Sequence, residues 1–215
     1  EKTNTAQKGK ISVQKTGNVF ASVTALGSAI YIDENGEVHE SGQTAYTPVF
    51  AKENLSGAVF QVIASEDIIT ADGTIRANAG DVVAELVTDE NGYAETDLLY
   101  LGKYEVKEIT APDGYVLNAE SQFVELTYAG QEIAVRDTVG TAFENDYQGI
   151  EISLSKVMEN DEKFGISAEE SYKNVRFGLF AAEDITAADG SVIPADGLIA
   201  EVSLNEDMTA VIAEK

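Results

Sequence analysis

The sequence predicts an all-β protein made of antiparallel β-sandwich modules in tandem. Short segments alternate between polar and apolar residues, and turns rich in Gly, Asn and Asp separate them. No long segment keeps the 3.6-residue period of a helix. One pattern of segments occurs twice, which indicates that a module is repeated.

The predicted strands of the first module follow one another at short intervals. Residues 89–92 (Asp-Glu-Asn-Gly) are predicted to form a hairpin turn, because Asn-Gly accepts the positive φ of a tight hairpin. The predicted strands are residues 11–15, 60–63, 82–87, 104–108, 123–128, 133–135 and 143–147.

The internal repeat sets the predicted domain organisation. Residues 60–68 recur as residues 177–185, and residues 11–15 recur as residues 152–156. We therefore predict one domain at residues 1–148 and the N-terminal part of a second at residues 149–215.

The two copies differ in extent. The second copy ends before the strands that complete the first, so we expect a fragment of a longer array with exposed strand edges. The first copy has extra residues at about 16–53, which we predict to be an inserted hairpin.

The composition argues against several classes of function. The formal net charge of -24, from 38 acidic and 14 basic residues, argues against nucleic acid and anionic membranes as partners. The absence of cysteine excludes disulfides and thiolate metal sites. One histidine and no G-x-S-x-G motif argue against a serine hydrolase. We expect no enzyme, no cofactor and no metal site. We also expect no membrane insertion, because no run of 18 apolar residues occurs. We expect no signal peptide, because the chain opens without a basic n-region and an apolar h-region.

Three predicted strands each place one polar residue on the face that should be buried. Side chains alternate between the two faces of a strand, so a polar residue two positions from an apolar one shares its face. The three polar residues are Lys15 beside Val13, Glu108 beside Val106, and Asn145 beside Phe143. The second copy repeats the first of these positions with Lys156 beside Leu154.

Lone buried charges are costly, which suggests that the lysine, the glutamate and the asparagine form one cluster. Burial in general lowers the pKa of an amine and raises that of a carboxylic acid, so a neutral amine would face a protonated acid. The amine could then attack the Asn145 amide and join Lys15 Nζ to Asn145 Cγ. The alternatives are an ordinary buried ion pair of Lys15 with Glu108, hydrogen-bonded to Asn145, and a lysine whose ammonium reaches solvent.

Several short motifs occur in the order known from one protein family. Residues 102–115 (GKYEVKEITAPDGY) match the pattern Y-x-V/L-x-E-x-x-A-P-x-G-Y at every fixed position. The other matching segments are residues 55–60 (L-x-G-A-x-F), 88–92 (T-D-x-x-G), 10–15 in the opening strand and 143–145 (F-x-N). Together these motifs resemble the SpaA-type (Cna B-like, prealbumin-like) domains, in which the first pattern is called the E-box.

The resemblance implies an Ig-like or prealbumin-like sandwich in an extracellular cell-wall protein of Gram-positive bacteria, as in pilins and adhesin stalks. It also implies an isopeptide bond that forms once within the domain, with Lys15 as nucleophile, Asn145 as acceptor and Glu108 as acid/base. Lys156 would be the corresponding lysine of the second module, with no partner in this chain. The expected partners are neighbouring modules of the same polypeptide, and host protein or glycan. No LPXTG signal or pilin-motif lysine can be identified, which favours a stalk module over a backbone pilin.

Two other functions remain open at this point. The inserted hairpin could make the chain a ligand-binding adhesin, with a contact surface formed by the aromatic residues Phe20, Tyr31, Tyr46 and Phe50. Acidic turns at residues 33–36, 89–92 and 184–189 could bind Ca²⁺, although no full EF-hand loop occurs.

Overall fold

The computed structural model describes residues 5–32, 38–133, 138–157, 163 and 175–214, with side chains left undescribed at 29–32, 38–41 and 213–214. These residues form strands, turns and connecting segments, and no α-helix is found among them. The predicted all-β fold class is therefore confirmed. Within the described part of the chain, no helix has the length and hydrophobicity needed to cross a bilayer.

The strands are numbered in chain order. They are β1 (Lys8–Gly9), β2 (Ile11–Ile32), β3 (Val38–Asn54), β4 (Val59–Ala64), β5 (Ile68–Ile69), β6 (Ile75–Ala77), β7 (Val82–Val87), β8 (Tyr93–Glu95), β9 (Leu99–Tyr100), β10 (Gly102–Thr110), β11 (Gln122–Leu126), β12 (Val139–Asn145), β13 (Ile150–Ser155), β14 (Arg176–Phe180), β15 (Ile185–Thr186), β16 (Val192–Ile193), β17 (Leu198–Ser203) and β18 (Thr209–Glu214).

The chain divides into two compact units. Unit 1 comprises Glu1–Asn18 and Lys52–Gln148, and unit 2 comprises Val19–Ala51 and Gly149–Lys215. The break after Gln148 coincides with the predicted domain boundary. The assignment of residues 1–148 to one domain and of residues 149–215 to the N-terminal part of a second stays a prediction.

The segment predicted as an insertion into the first domain is placed differently. Residues 19–51 belong to unit 2, and only the ends of the segment at about 16–53 belong to unit 1. Backbone hydrogen bonds provide the physical reason: the amides of Ala188 and Asp189 donate to the carbonyls of Phe20 and Ala21, at 3.0 and 3.1 Å. These contacts join residues far apart in sequence, so strand patterns could not reveal them.

Unit 1 is a sandwich of two sheets around one apolar core. The first sheet has the order β11-β10-β4-β7, with every neighbouring pair antiparallel. In the second, β2 lies between β12 and β8. Fully buried side chains from both sheets meet between them, among them Ile11, Val13, Phe60, Val62, Tyr104 and Val106.

Strands β2 and β12, which lie near the two ends of unit 1 in sequence, are direct neighbours. β12 pairs with β2 in parallel, in a register that sets Phe143 beside Lys15 and Asn145 beside Gly17. This pair departs from the antiparallel order of the rest of the sandwich. It brings the two ends of unit 1 together at one edge of the core.

Unit 2 repeats part of this architecture. β13 pairs with β18 as β2 pairs with β8, and β14 pairs with β17 as β4 pairs with β7, all antiparallel. β17 also makes a parallel bridge to β3 at Ala45. Among the described residues, unit 2 has no strands that correspond to β10, β11 and β12.

The hairpin turn before β8 also recurs before β18. The Lys15 amide donates to the Gly92 carbonyl at 2.7 Å, and the Lys156 amide donates to the Met208 carbonyl at 3.0 Å. Gly92 and Met208 have φ values of 67° and 61°, so Met208 takes a left-handed conformation that favours glycine.

Candidate functional site

The three polar residues predicted to point into the core do so. Lys15 and Glu108 are 0% exposed and Asn145 is 2% exposed. The alternation of β2, β10 and β12 is responsible, because Lys15, Glu108 and Asn145 share inner faces with Val13, Val106 and Phe143. A lysine ammonium that reaches solvent is thus excluded for Lys15.

The three side chains contact one another. Lys15 Nζ donates a hydrogen bond to Asn145 Oδ1 and lies 3.2 Å from Glu108 Oε1. Asn145 Nδ2 donates to the same oxygen, Glu108 Oε1, at 2.9 Å. A single carboxylate oxygen therefore contacts both the amine nitrogen and the amide nitrogen.

The surroundings of the lysine amine are apolar. Lys15 Nζ lies 5.8 Å from the centre of the Phe60 ring and 6.0 Å from that of the Phe143 ring. Those two rings pack against each other at 4.8 Å. Burial lowers the pKa of Lys15, against the opposing effect of the Glu108 carboxylate. The site therefore favours the neutral amine more than water does.

Two glycines let the backbones that carry the site approach closely. At Gly17, paired with Asn145, a Cβ atom would lie 2.7 Å from the Asn145 carbonyl oxygen. At Gly92, a Cβ atom would collide with the Lys15 carbonyl oxygen. Both β12 and the turn before β8 therefore contact the lysine-bearing part of β2 through main-chain atoms.

The segment that follows β10 covers the site, and we call residues 111–121 the strap. Tyr115 Oη donates to the Asn18 carbonyl at 2.9 Å, the Val116 amide donates to the Asp146 carbonyl at 2.8 Å, and the Gln148 amide donates to the Gly114 carbonyl at 2.8 Å. These bonds fasten the strap to β2 and to the residues that follow β12. Pro112 and Gly114, which match the E-box pattern, indicate a turn here. The residues that this turn binds lie elsewhere in the chain.

Asn118 of the strap was not predicted from the sequence. Its backbone N–H donates to Glu108 Oε2 at 2.9 Å, and its side-chain Nδ2 donates to the Glu144 carbonyl at 3.1 Å. A main-chain donor has no side-chain signature, so no sequence pattern could have identified the first of these contacts.

The lysine predicted for the second module has a different environment. Lys156 follows β13 and is exposed. Its role stays a prediction, because the described residues of unit 2 include no counterparts of the strands that carry Glu108 and Asn145.

The alternative sites have little support in the described residues. No group of three or more His, Cys, Asp or Glu side chains there could hold a metal ion. Asp89 Oδ1 accepts the amides of Asn91 and Tyr93 at 2.9 Å each, so this carboxylate shapes its own turn. Residues 33–36 lie outside the described residues. In the hairpin, Phe20 and Phe50 pack on each other at 5.8 Å, while the side chain of Tyr31 is not described.

The fold and the buried cluster define unit 1 as a β-sandwich domain closed by its first and last strands. Residues 49–139 match the family model of SpaA, described as a prealbumin-like fold domain. This match confirms the resemblance to SpaA-type domains that the sequence motifs predicted.

One curated protein and several solved structures are also similar. The trypsin-resistant surface T6 protein of Streptococcus pyogenes serotype M6 is 28% identical over 141 residues, which cover 65% of this chain and 23% of that protein. The chain thus spans about a quarter of the length of this relative.

The similar structures include the Bacillus anthracis TIE protein, at 19% identity and a TM-score of 0.47, covering 97% of this chain and 26% of that one. The full-length major pilin SpaD of Corynebacterium diphtheriae has 20% identity and a TM-score of 0.39, covering 68% and 32%. Scores below 0.5 do not support an argument about function.

Proposed function

We propose that the chain is a structural module of a Gram-positive cell-wall surface protein, whose unit 1 joins Lys15 to Asn145 through an isopeptide bond. Glu108 is the acid/base of this reaction, which occurs once in each molecule. The observation that carries the proposal is the contact of Glu108 Oε1 with both Lys15 Nζ and Asn145 Nδ2 inside an apolar core.

The chemistry needs no oxidant and no cofactor. The neutral Lys15 amine attacks Asn145 Cγ and forms a carbon–nitrogen bond, and Glu108 transfers a proton from Lys15 Nζ to Asn145 Nδ2. The bond from Cγ to Nδ2 then breaks and ammonia leaves. The burial that lowers the pKa of Lys15 supports the first step, because only the neutral amine is a nucleophile.

The competing interpretation is a stable ion pair with the same contacts. A buried Lys–Glu pair hydrogen-bonded to an amide satisfies every polar group and would leave the chain unreacted. The two interpretations predict different masses for the chain, since only formation of the cross-link releases ammonia.

Intact-mass spectrometry is therefore the decisive experiment. We expect the purified chain to be lighter than its sequence by one ammonia, and a tryptic digest to contain a branched peptide joining Lys15 to Asn145. Glu108→Gln should restore the full mass. Glu105→Gln is the matched control, because Glu105 lies on the same strand on its other face and binds Ser121 Oγ at 2.5 Å. An unshifted wild-type mass would favour the ion pair.

A bond between the first and last strands suits a mechanical role. Lys15 and Asn145 are 130 residues apart in sequence, so the bond would close nearly all of unit 1 into a loop. Tension applied at the two ends would then pass through a covalent bond instead of through the sheets. Residues 149–215 would be the opening part of the next module in a stalk.

The location is part of the same proposal. The relative from Streptococcus pyogenes is named as a surface protein. Antibodies raised against this chain should label intact cells of the producing organism. Labelling only after the cells are broken would contradict a surface location.

A further inference from the structure

The strap places a donor group next to the proposed acid/base. The two oxygens of Glu108 have separate partners: Oε1 contacts Lys15 Nζ and Asn145 Nδ2, whereas Oε2 accepts the Asn118 backbone N–H. The carboxyl group is therefore held in one orientation. Only Oε1 is available to both nitrogens of the reaction.

The side chain of the same residue holds the strand that carries the amide. Asn118 Nδ2 donates to the carbonyl of Glu144, the residue directly before Asn145, at 3.1 Å. The Val116 amide binds the carbonyl of Asp146, the residue directly after it, at 2.8 Å. The strap thus fixes β12 on both sides of the reacting residue.

From these contacts we propose that Asn118 is a positioning residue for the cross-linking reaction. This inference rests on the proposed function. Asn118 touches none of the reacting atoms of Lys15 and Asn145. It acts by aiming Glu108 Oε1 and by holding the Asn145 amide within reach of it, so that one oxygen can take a proton from one nitrogen and deliver it to the other.

The conformation of the strap links the side-chain and main-chain roles of Asn118. Asn118 Oδ1 accepts the Glu120 amide at 3.0 Å, which turns the chain locally at this point. Without its side chain, residue 118 keeps its backbone N–H. It loses the side-chain hydrogen bonds with the Glu144 carbonyl and the Glu120 amide, which orient that N–H. We therefore expect a graded effect, in which loss of the side chain slows the reaction and loss of the N–H as well slows it further.

The experiment follows the release of ammonia in newly made chains. Cell-free synthesis is stopped at timed intervals, and intact mass gives the reacted fraction of wild type, Asn118→Ala and Asn118→Pro. Asn118→Ala removes the side chain, and Asn118→Pro also removes the N–H donor. We expect Asn118→Ala to be slower by about tenfold, the effect of losing an orienting hydrogen bond in the transition state, and Asn118→Pro to be slower still.

Two controls separate positioning from a loss of folding. Ser121→Ala removes a strap hydrogen bond that does not reach Glu108, and should react at the wild-type rate. The same Asn118 variants in a Lys15→Met background cannot cross-link, so the difference in circular dichroism from Lys15→Met alone gives the effect of each Asn118 substitution on folding. The expected result is a slower reaction per folded molecule.

The possible failures can be told apart. If wild type never loses ammonia, the proposed function is wrong and the inference falls with it. If wild type cross-links and Asn118→Ala does so equally fast per folded molecule, only the role of Asn118 is overturned. A rate decrease fully explained by a smaller folded fraction would also overturn it.

Discussion

Unit 1 and unit 2 begin with similar strands, yet these strands lie in different environments. Lys15 and Phe60 of unit 1 are 0% exposed, whereas the corresponding Lys156 is exposed and Phe177 is only half-buried. The difference follows from β10, β11 and β12, which complete the sandwich of unit 1 and have no counterparts among the described strands of unit 2. The same local sequence therefore produces either a buried amine or a solvated one, depending on which strands cover it.

The largest effect on stability is expected from a comparison of substitutions at Lys15 and Lys156. Lys15→Met should lower the free energy of unfolding of unit 1 by about 5 kcal/mol or more, because it removes the proposed cross-link spanning more than a hundred residues and leaves a buried carboxyl without its partner. Denaturant unfolding followed by circular dichroism measures this change.

Lys156→Met provides the matched control. An exposed lysine outside any buried cluster should alter stability by less than about 0.5 kcal/mol and leave the mass loss intact. Equal effects of the two substitutions would remove the contrast between the units.

A second comparison tests how completely the two units bury corresponding phenylalanines. Phe60→Ala should lower the free energy of unfolding of unit 1 by about 3–5 kcal/mol, because Phe60 is fully buried and its removal leaves a cavity. Phe177→Ala should cost about a third of that, since its ring is already partly in water. Equal costs, measured from denaturation midpoints, would show that unit 2 buries Phe177 as completely as unit 1 buries Phe60.

Alkaline pH should weaken unit 1 through a tyrosine of β10. Burial raises the pKa of Tyr104 from 10.0 to about 12, and its hydroxyl donates to the Tyr100 carbonyl at 2.6 Å. A raised pKa means that the folded state keeps a proton that the unfolded chain has lost. The contribution of Tyr104 to the free energy of unfolding is thus fully present below pH 10. It falls between pH 10 and 12 by roughly 2–3 kcal/mol.

Tyr104→Phe is the control for this titration. It removes the ionisable group and keeps the ring, so the decrease between pH 10 and 12 should become shallower even though the variant loses a hydrogen bond. Urea unfolding at several pH values measures the slope. An unchanged slope would assign the alkaline loss to other groups.

The smallest effect concerns the two hairpin turns. Met208→Gly should stabilise unit 2 by roughly 0.5–1 kcal/mol, because a non-glycine residue at φ 61° carries a steric cost. Gly92→Ala should destabilise unit 1, since its new Cβ atom would collide with the Lys15 carbonyl oxygen. Thermal unfolding of both variants measures the two shifts, and shifts of the same sign would contradict the equivalence of the turns.

The sequence predicted what depends on local geometry. Side-chain alternation identified Lys15, Glu108 and Asn145 as inward-pointing, because the pleat of a strand fixes the face of every second residue. The repeat predicted a domain boundary after residue 148, where unit 1 also ends. The chemistry assigned to the three residues is still a prediction.

The contacts that the sequence could not predict are made by main-chain atoms distant in sequence. The parallel pairing of β12 with β2 and the Asn118 N–H on Glu108 leave no trace in residue patterns, since any residue but proline offers the same backbone donor. The assignment of residues 19–51 to unit 2 likewise depends on amides of the distant turn at Ala188 and Asp189.

The position of Asn145 in the last strand of unit 1 has a consequence for biosynthesis. Lys15 emerges from the ribosome 130 residues earlier, and its amine meets Glu108 and Asn145 only when β12 docks beside β2. Until that moment the three side chains of the proposed reaction are not assembled. Any chemistry at this cluster therefore marks a molecule that has already folded correctly.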